Sequence, residues 1–192
     1  GIDCEIINHD KSEHKEKIAA ENNQETFGNL SSLLKCFEVA KKDQSDLIYF
    51  VEDDYLHYEH SLVDMLNTYE RVSSQHKDEI IVCPSDYPFN YMNNEKTNIL
   101  IGSQQHWRTI TKMLCTFMIS KKMFQKHIDN FEKTCEKRHE PFEKYLNKIL
   151  ESEIGISPIK SLAIHMTNVN SSYGLSPFID IKKLWEENKI DQ

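Results

Sequence analysis

The run Leu47-Ile48-Tyr49-Phe50-Val51 passes without a break into Glu52-Asp53-Asp54. A short apolar run rich in β-branched and aromatic residues reads as a strand buried on both faces, in the middle of an α/β sheet. The three carboxylates then fall at the carboxyl end of that strand, the edge where open α/β sheets take their ligands. Adjacent like charges repel, and a bound cation relieves the repulsion. Carboxylate oxygens suit hard divalent ions, so Mg²⁺ or Mn²⁺ is the expected occupant. The plain alternative is a solvated acidic turn.

Around this run the pattern alternates. Ile2 to Asn8 has strand character, and the charged stretch Lys11 to Glu21 reads as a helix turning Ile18, Ala19 and Ala20 inward. Asn22 to Thr26 reads as a turn. Leu30, Leu33, Leu34, Phe37 and Ala40 recur at helical spacing, with Asn29 or Ser31 as the cap. Leu62, Met65, Leu66, Tyr69 and Val72 repeat that spacing, and Glu79 to Cys83 is a second apolar strand stopped by Pro84. An aromatic loop, Ser85 to Tyr91, and a polar stretch, Met92 to Thr97, follow. Ile99–Ile101, Trp107–Ile110 and Met113–Ile119 read as short strands of a mixed region. Helices are expected at Lys121–Thr134 and Pro141–Ser152, closing strands at Ile154–Pro158 and Ser161–His165, and a tail, Pro177 to Asn188, ending in a helix. The fold class is therefore α/β, a mixed central sheet flanked by helices in one domain over residues 1–192.

Bulk properties narrow the partners. Lys and Arg number 23 against 31 Asp and Glu, a formal charge of −8 that argues against a nucleic-acid or anionic-membrane surface. No stretch approaches membrane-spanning length, and the first residues do not read as a signal peptide. The five cysteines (Cys4, Cys36, Cys83, Cys115, Cys135) are scattered and odd in number, which fits buried thiols in a reducing, cytoplasmic compartment. Neither G-x-G-x-x-G nor G-x-x-x-x-G-K-[ST] occurs. A bound diphosphate would depend on a metal and on basic side chains.

The Phe50-Val51-Glu52-Asp53-Asp54 segment resembles the Asp-x-Asp signature of glycosyltransferases with the GT-A fold. Its Glu-Asp-Asp form is similar to that of N-acetylglucosaminyltransferases and of some bacterial and large-virus sugar transferases. Gly28-Asn29, Pro84-Ser85-Asp86-Tyr87-Pro88, His106-Trp107-Arg108-Thr109 and Ser161-Leu162-Ala163-Ile164-His165 extend the likeness from Cys4 to about Asp180. It implies a Rossmann-like nucleotide-sugar half (1–91) and an acceptor half (92–192), within this chain or a longer protein. The usual first strand is not evident: it lies upstream of Gly1 or is lacking. A viral relative would act in the host cytoplasm.

The resemblance also implies roles. Asp54 is the expected metal ligand, with His165 as a further one; a lone histidine at a strand end is as readily an ordinary hydrogen-bonded residue. Glu52 and Asp53 would orient the donor, and Asp10 would read the uracil ring. His106, Trp107 and Arg108 would serve the leaving diphosphate and the sugar, unless Trp107 is core and Arg108 surface. An inverting reaction needs a carboxylate at the acceptor hydroxyl. Glu140, before Pro141, is the first candidate and Asp86 the second; double-displacement or front-face routes use similar residues. The expected activity is metal-dependent transfer of a sugar from a UDP-sugar or other nucleotide sugar to a glycan or other hydroxyl acceptor. The alternatives are a nucleotidyltransferase or phosphoesterase with two metals, which would want a basic phosphate loop that Asn22–Phe27 lacks, and a catalytically silent nucleotide- or sugar-binding module.

Overall fold

The computed structural model describes residues 4–18, 21–92, 94–167, 169–175 and 179–189. In chain order its elements are α1 (Gln24–Lys42), β1 (Leu47–Phe50), β2 (Tyr55–His57), α2 (Ser61–His76), β3 (Ile80–Val82), β4 (Ile99–Ile101) and β5 (His106–Ile110). There follow β6 (Phe117–Ser120), α3 (Lys121–Lys126), α4 (Ile128–Thr134), α5 (Lys144–Ile149), β7 (Ile154–Pro158), β8 (Ala163–His165) and α6 (Ile181–Glu187). Short 3₁₀ turns lie at Lys11–His14 and Pro88–Tyr91.

Six strands form one mixed sheet in the order β1-β6-β3-β7-β5-β4, while β2 and β8 pair beside it. The β3–β7 ladder is parallel and the other described ladders are antiparallel. Period-two alternation divides the side chains between two cores. Ile48 and Phe50 of β1, Ile81 of β3, and Phe117 and Ile119 of β6 pack with α1, α3, α4 and α5. Leu47, Tyr49, Ile80, Val82 and Met118 pack on the opposite face with Met65 and Val72 of α2 and with Trp107. Helices therefore cover both faces of the sheet. Beneath β1, Phe37 meets Phe50 edge-on at 5.2 Å and Phe131 at 5.1 Å.

Several expectations need correction. The Leu47–Phe50 strand has Phe50 buried and its other residues half-buried with neighbours on both faces, yet among the described residues it sits at the sheet edge and pairs with β6 alone. Apolarity reports what lies above and below a strand and is silent about what lies beside it. The described part of the expected first strand, residues 4–8, forms no ladder; Ile6 and Ile7 are both exposed. The helix α1 starts well before Leu30, because the Asn23 side chain accepts from Thr26 N at 3.0 Å and caps it there. Asn29 and Ser31 lie inside that helix. The Lys11–Glu21 helix is reduced to a 3₁₀ turn with Ile18 buried; Ala19 and Ala20 lie outside the described residues. The single helix expected at 121–134 is two, meeting at His127. Of the strand expected at Met113–Ile119, 117–119 fall in β6 and 113–116 form the loop leading into it, and β2 was not expected at all. Of the tail, residues 181–187 are helical as expected, and 177–178 lie outside the described residues.

Candidate functional site

The acids occupy the turn between β1 and β2, closed by Tyr55 N donating to Glu52 O at 3.4 Å. Pairing of β2 with β8 sets Tyr55 opposite His165, and that register carries His165 to the acids across more than a hundred residues of chain. His165 Nε2 lies 2.8 Å from Asp54 Oδ2. The imidazole is buried and stacks on the Tyr55 ring at 4.8 Å, nearly parallel. Met166 N donates to Asp54 O at 2.8 Å, fixing the same junction through the backbone.

Each acid has a different environment. Asp53 is exposed and Asp54 half-buried. Glu52 is half-buried against Thr116, whose hydroxyl accepts from Glu52 N at 3.0 Å and donates to Glu52 Oε2 at 3.3 Å. Burial first, then the neighbouring Asp54 charge, pushes the Glu52 carboxyl up to about 7; Glu143 and Asp53 add to the effect. A carboxyl raised toward neutrality by burial among other acids is a common feature of ligand sites.

A row of aromatic rings leads away from this junction. The hydroxyls of Tyr55 and Tyr87 are 2.5 Å apart, Tyr87 stacks on Phe89 at 5.4 Å, and Phe89 meets Tyr173 at 5.4 Å. Burial and the shared proton drive the Tyr55 phenol far above its ordinary range.

The remaining expected residues lie elsewhere. Asp86 is fully buried; it accepts from the Tyr91 hydroxyl, and its Oδ1 lies 3.7 Å from Arg108 Nε. The Arg108 guanidinium in turn covers the Tyr91 ring at 4.1 Å. Burial raises the Asp86 carboxyl to about 6 in spite of Tyr91 and Arg108, which pull it down. Arg108 is thus engaged with Asp86 on a strand four places from β1, about 19 Å across the sheet at the usual strand spacing. Trp107 is fully buried in the core, where no sugar can stack on it, and His106 is exposed at the start of β5. Asp10 is exposed and caps the 3₁₀ turn through Ser12 N at 2.9 Å. Glu140 points to solvent, its side chain 83% exposed and 3.4 Å from Arg138.

Glu143 was missed. It sits three residues further on, just before α5, where burial raises its carboxyl above the usual range. Sequence offers two acids flanking Pro141-Phe142 with nothing to rank them; only the start of α5 decides which turns inward. Thr116 and Tyr55 were missed for a related reason, since each acts through a partner distant in the chain.

No family model matches this chain, and no curated protein matches it.

The Asp54 carboxylate oxygen suits Mn²⁺ or Mg²⁺, whereas the His165 imidazole nitrogen suits Mn²⁺ only moderately and does not suit Mg²⁺. Among the described residues no group of three or more His, Cys, Asp or Glu is placed to hold a metal unaided. The other ligands would therefore be water and oxygens of the bound molecule, as is usual where such ions accompany phosphates.

Proposed function

We propose that the chain is a GT-A-like, metal-dependent glycosyltransferase whose nucleotide-sugar donor, a UDP-sugar by preference, binds at the Glu52–His165 junction. The carrying observation is the 2.8 Å approach of His165 to Asp54 at the carboxyl end of β1, with Glu52 raised toward neutrality beside them. Asp54 and His165 would hold the divalent cation, which when bound supplies positive charge to the departing diphosphate. Thr116 holds Glu52 in place from its buried position in the approach to β6. The Tyr55 ring keeps the His165 imidazole oriented, so the site is set before a ligand arrives. Glu52 and Asp53 are positioned to accept hydrogen bonds from ribose or sugar hydroxyls. The buried Asp86–Arg108 pair holds the 84–91 loop on β5 and takes no direct part.

Isothermal titration of UDP, UDP-glucose, UDP-galactose and UDP-N-acetylglucosamine, each with and without Mn²⁺, tests this reading. Mn²⁺-dependent binding with release of UDP supports it. Binding without turnover identifies a silent nucleotide-sugar module, and no binding sinks the reading.

A further inference from the structure

The two edges of the sheet are built differently. β1 is bracketed by Asp43, Asp46, Glu52 and Asp53, charges of the kind that keep a free edge from pairing with another chain. β4 is the other edge, and from Thr97 to Gln105 it and its flanks hold no charged residue, in a chain that is 28% charged. Thr109 N donates to Asn98 O at 3.0 Å and Gly102 N to Gln105 O at 2.9 Å. Antiparallel ladders alternate, so between these two bonds Leu100 is the residue that bonds to Trp107. The N–H and C=O groups of Ile99 and Ile101 therefore point away from β5, and no strand lies on that side among the described residues. Their side chains share one face and are 56% and 61% exposed. The Tyr91 ring, itself exposed, lies on Arg108 at 4.1 Å, and Arg108 pairs with Ile99, so the ring extends this apolar face.

We infer that β4 pairs with β4 of a second copy of this chain, antiparallel about a two-fold axis at Leu100. In that register the outward N–H and C=O of Ile99 meet those of Ile101 in the other copy, and the reverse, so each outward donor of the strand finds an acceptor. Isoleucine faces isoleucine on one side of the joined sheet and Leu100 faces Leu100 on the other, the apolar cross-strand pairs that stabilise sheets. Asn98 falls opposite Gly102 and Thr97 opposite Ser103, so no like charges meet although the chain carries a formal −8. Charge and register together select a copy as the occupant. An acidic chain repels itself over most of its surface, and here it presents a neutral strand complementary to itself. A basic partner gains nothing at this edge, which has no carboxylate to attract it. Pairing uses up the free edge, so the assembly closes as a dimer, and the acid-bracketed β1 does not extend it. Five strand spacings, about 24 Å, separate β4 from β1, so both Asp54–His165 junctions stay open at the outer ends of the joined sheet.

Sedimentation velocity of the full chain over a dilution series tests the dimer, with half-association expected on the order of 10 μM for so small an interface. Ile101→Lys, at an exposed position, should weaken association about tenfold or more while the melting temperature holds. Val39→Lys, exposed beside β1 at the far edge, should leave association within about twofold of wild type. Cross-linking reads the register. With Cys4 and Cys36, the exposed thiols, replaced by serine, Leu100→Cys should join to its own copy under mild oxidation. Residues facing each other at the axis lie about 4.5 Å apart between Cα atoms, within disulfide reach. Asn98→Cys, displaced along the strand from its own copy, should not cross-link. No nucleotide or metal enters these measurements, so they stand apart from the donor reading. A chain still monomeric at about 100 μM overturns the inference. So does a dimer that Ile101→Lys leaves intact, which would put the contact on another face. A dimer lost in Ile101→Lys but never trapped by Leu100→Cys overturns the antiparallel pairing.

Discussion

The hydroxyls of Tyr55 and Tyr87, 2.5 Å apart and both buried, join the β2–β8 pair to the loop after β3. The Ser85 side chain, Oγ donating to Ala163 O at 2.9 Å, and the backbone, Leu162 N donating to Pro84 O at 2.8 Å, make the same connection. Removing the Tyr87 hydroxyl strands that of Tyr55, a loss of about 1–3 kcal/mol; removing that of Tyr55 leaves Tyr87 its Ser85 neighbour at a smaller cost, and removing both leaves neither phenol unpaired. Tyr55→Phe and Tyr87→Phe should each lower the urea midpoint, and the double variant should cost less than the two changes added. Strict additivity would show that the phenols do not depend on each other.

The Asp54–His165 contact gives a more direct test of the donor site. Asp54 is half-buried, and its backbone carbonyl still anchors Met166 when the side chain is cut, so the carboxylate contact to His165 is the one interaction of the two that the substitution removes. Asp54→Ala should abolish Mn²⁺-dependent UDP binding, with a fall in affinity of tenfold or more, while the thermal midpoint shifts little. Calorimetric titration with and without Mn²⁺ measures the first and a melting curve the second. Equal UDP affinity in variant and wild type would remove Asp54 from the site.

How much of this was legible in the residues follows from what each pattern encodes. Period-two and helical spacing report which face of an element is covered, and they locate β1, α2 and β3. They carry no information on lateral order, so the most apolar strand was expected at the sheet centre and lies at its edge. The acids and His165 stood out because unusual chemistry at a strand end is local. Arg108 and Asp86 also stood out, but their partner is each other, a pairing across more than twenty residues that spacing does not reveal. Glu140 and Glu143 differ only in how the chain turns into α5.

Arg108 supplies the third prediction. Its Nε and Asp86 Oδ1 face each other at 3.7 Å without a hydrogen bond, both buried. Removing one partner leaves the other as an unpaired buried charge, at a cost of about 3–5 kcal/mol. Arg108→Met should therefore be strongly destabilising, and adding Asp86→Asn should restore most of the loss because the remaining carboxylate is neutralised. Urea denaturation of both variants measures this. Where the variant is folded, UDP affinity should stay within about threefold of wild type. A large selective loss of UDP binding in Arg108→Met would return that side chain to the donor site.

The last prediction concerns pH and rests on Glu52. Its folded-state value of about 7 lies above the ordinary 4.5, and burial is the main cause. Between those two values the folded chain holds a proton that the unfolded chain has released, so stability falls as pH rises through that window. Below pH 4.5 the penalty is absent, and above pH 7 it is complete. Asp86, raised from 3.8 to about 6, adds a slope of the same sign over the lower part of the range. Glu52→Gln keeps an oxygen for the Thr116 hydroxyl and removes the titrating proton. At pH 8 without divalent ions it should be more stable than wild type, on the order of 1–3 kcal/mol. The slopes from Asp86 and from Glu143, which burial also raises, should remain in the variant. Urea midpoints collected at half-unit steps from pH 4.5 to 8 measure both curves. Mn²⁺ with UDP should flatten the wild-type curve, since positive charge at Asp54 favours the ionised form of Glu52. A wild-type curve that rises from pH 5 to 8 would mean that Glu52 is ionised throughout, and the acid cluster would then be a solvated turn.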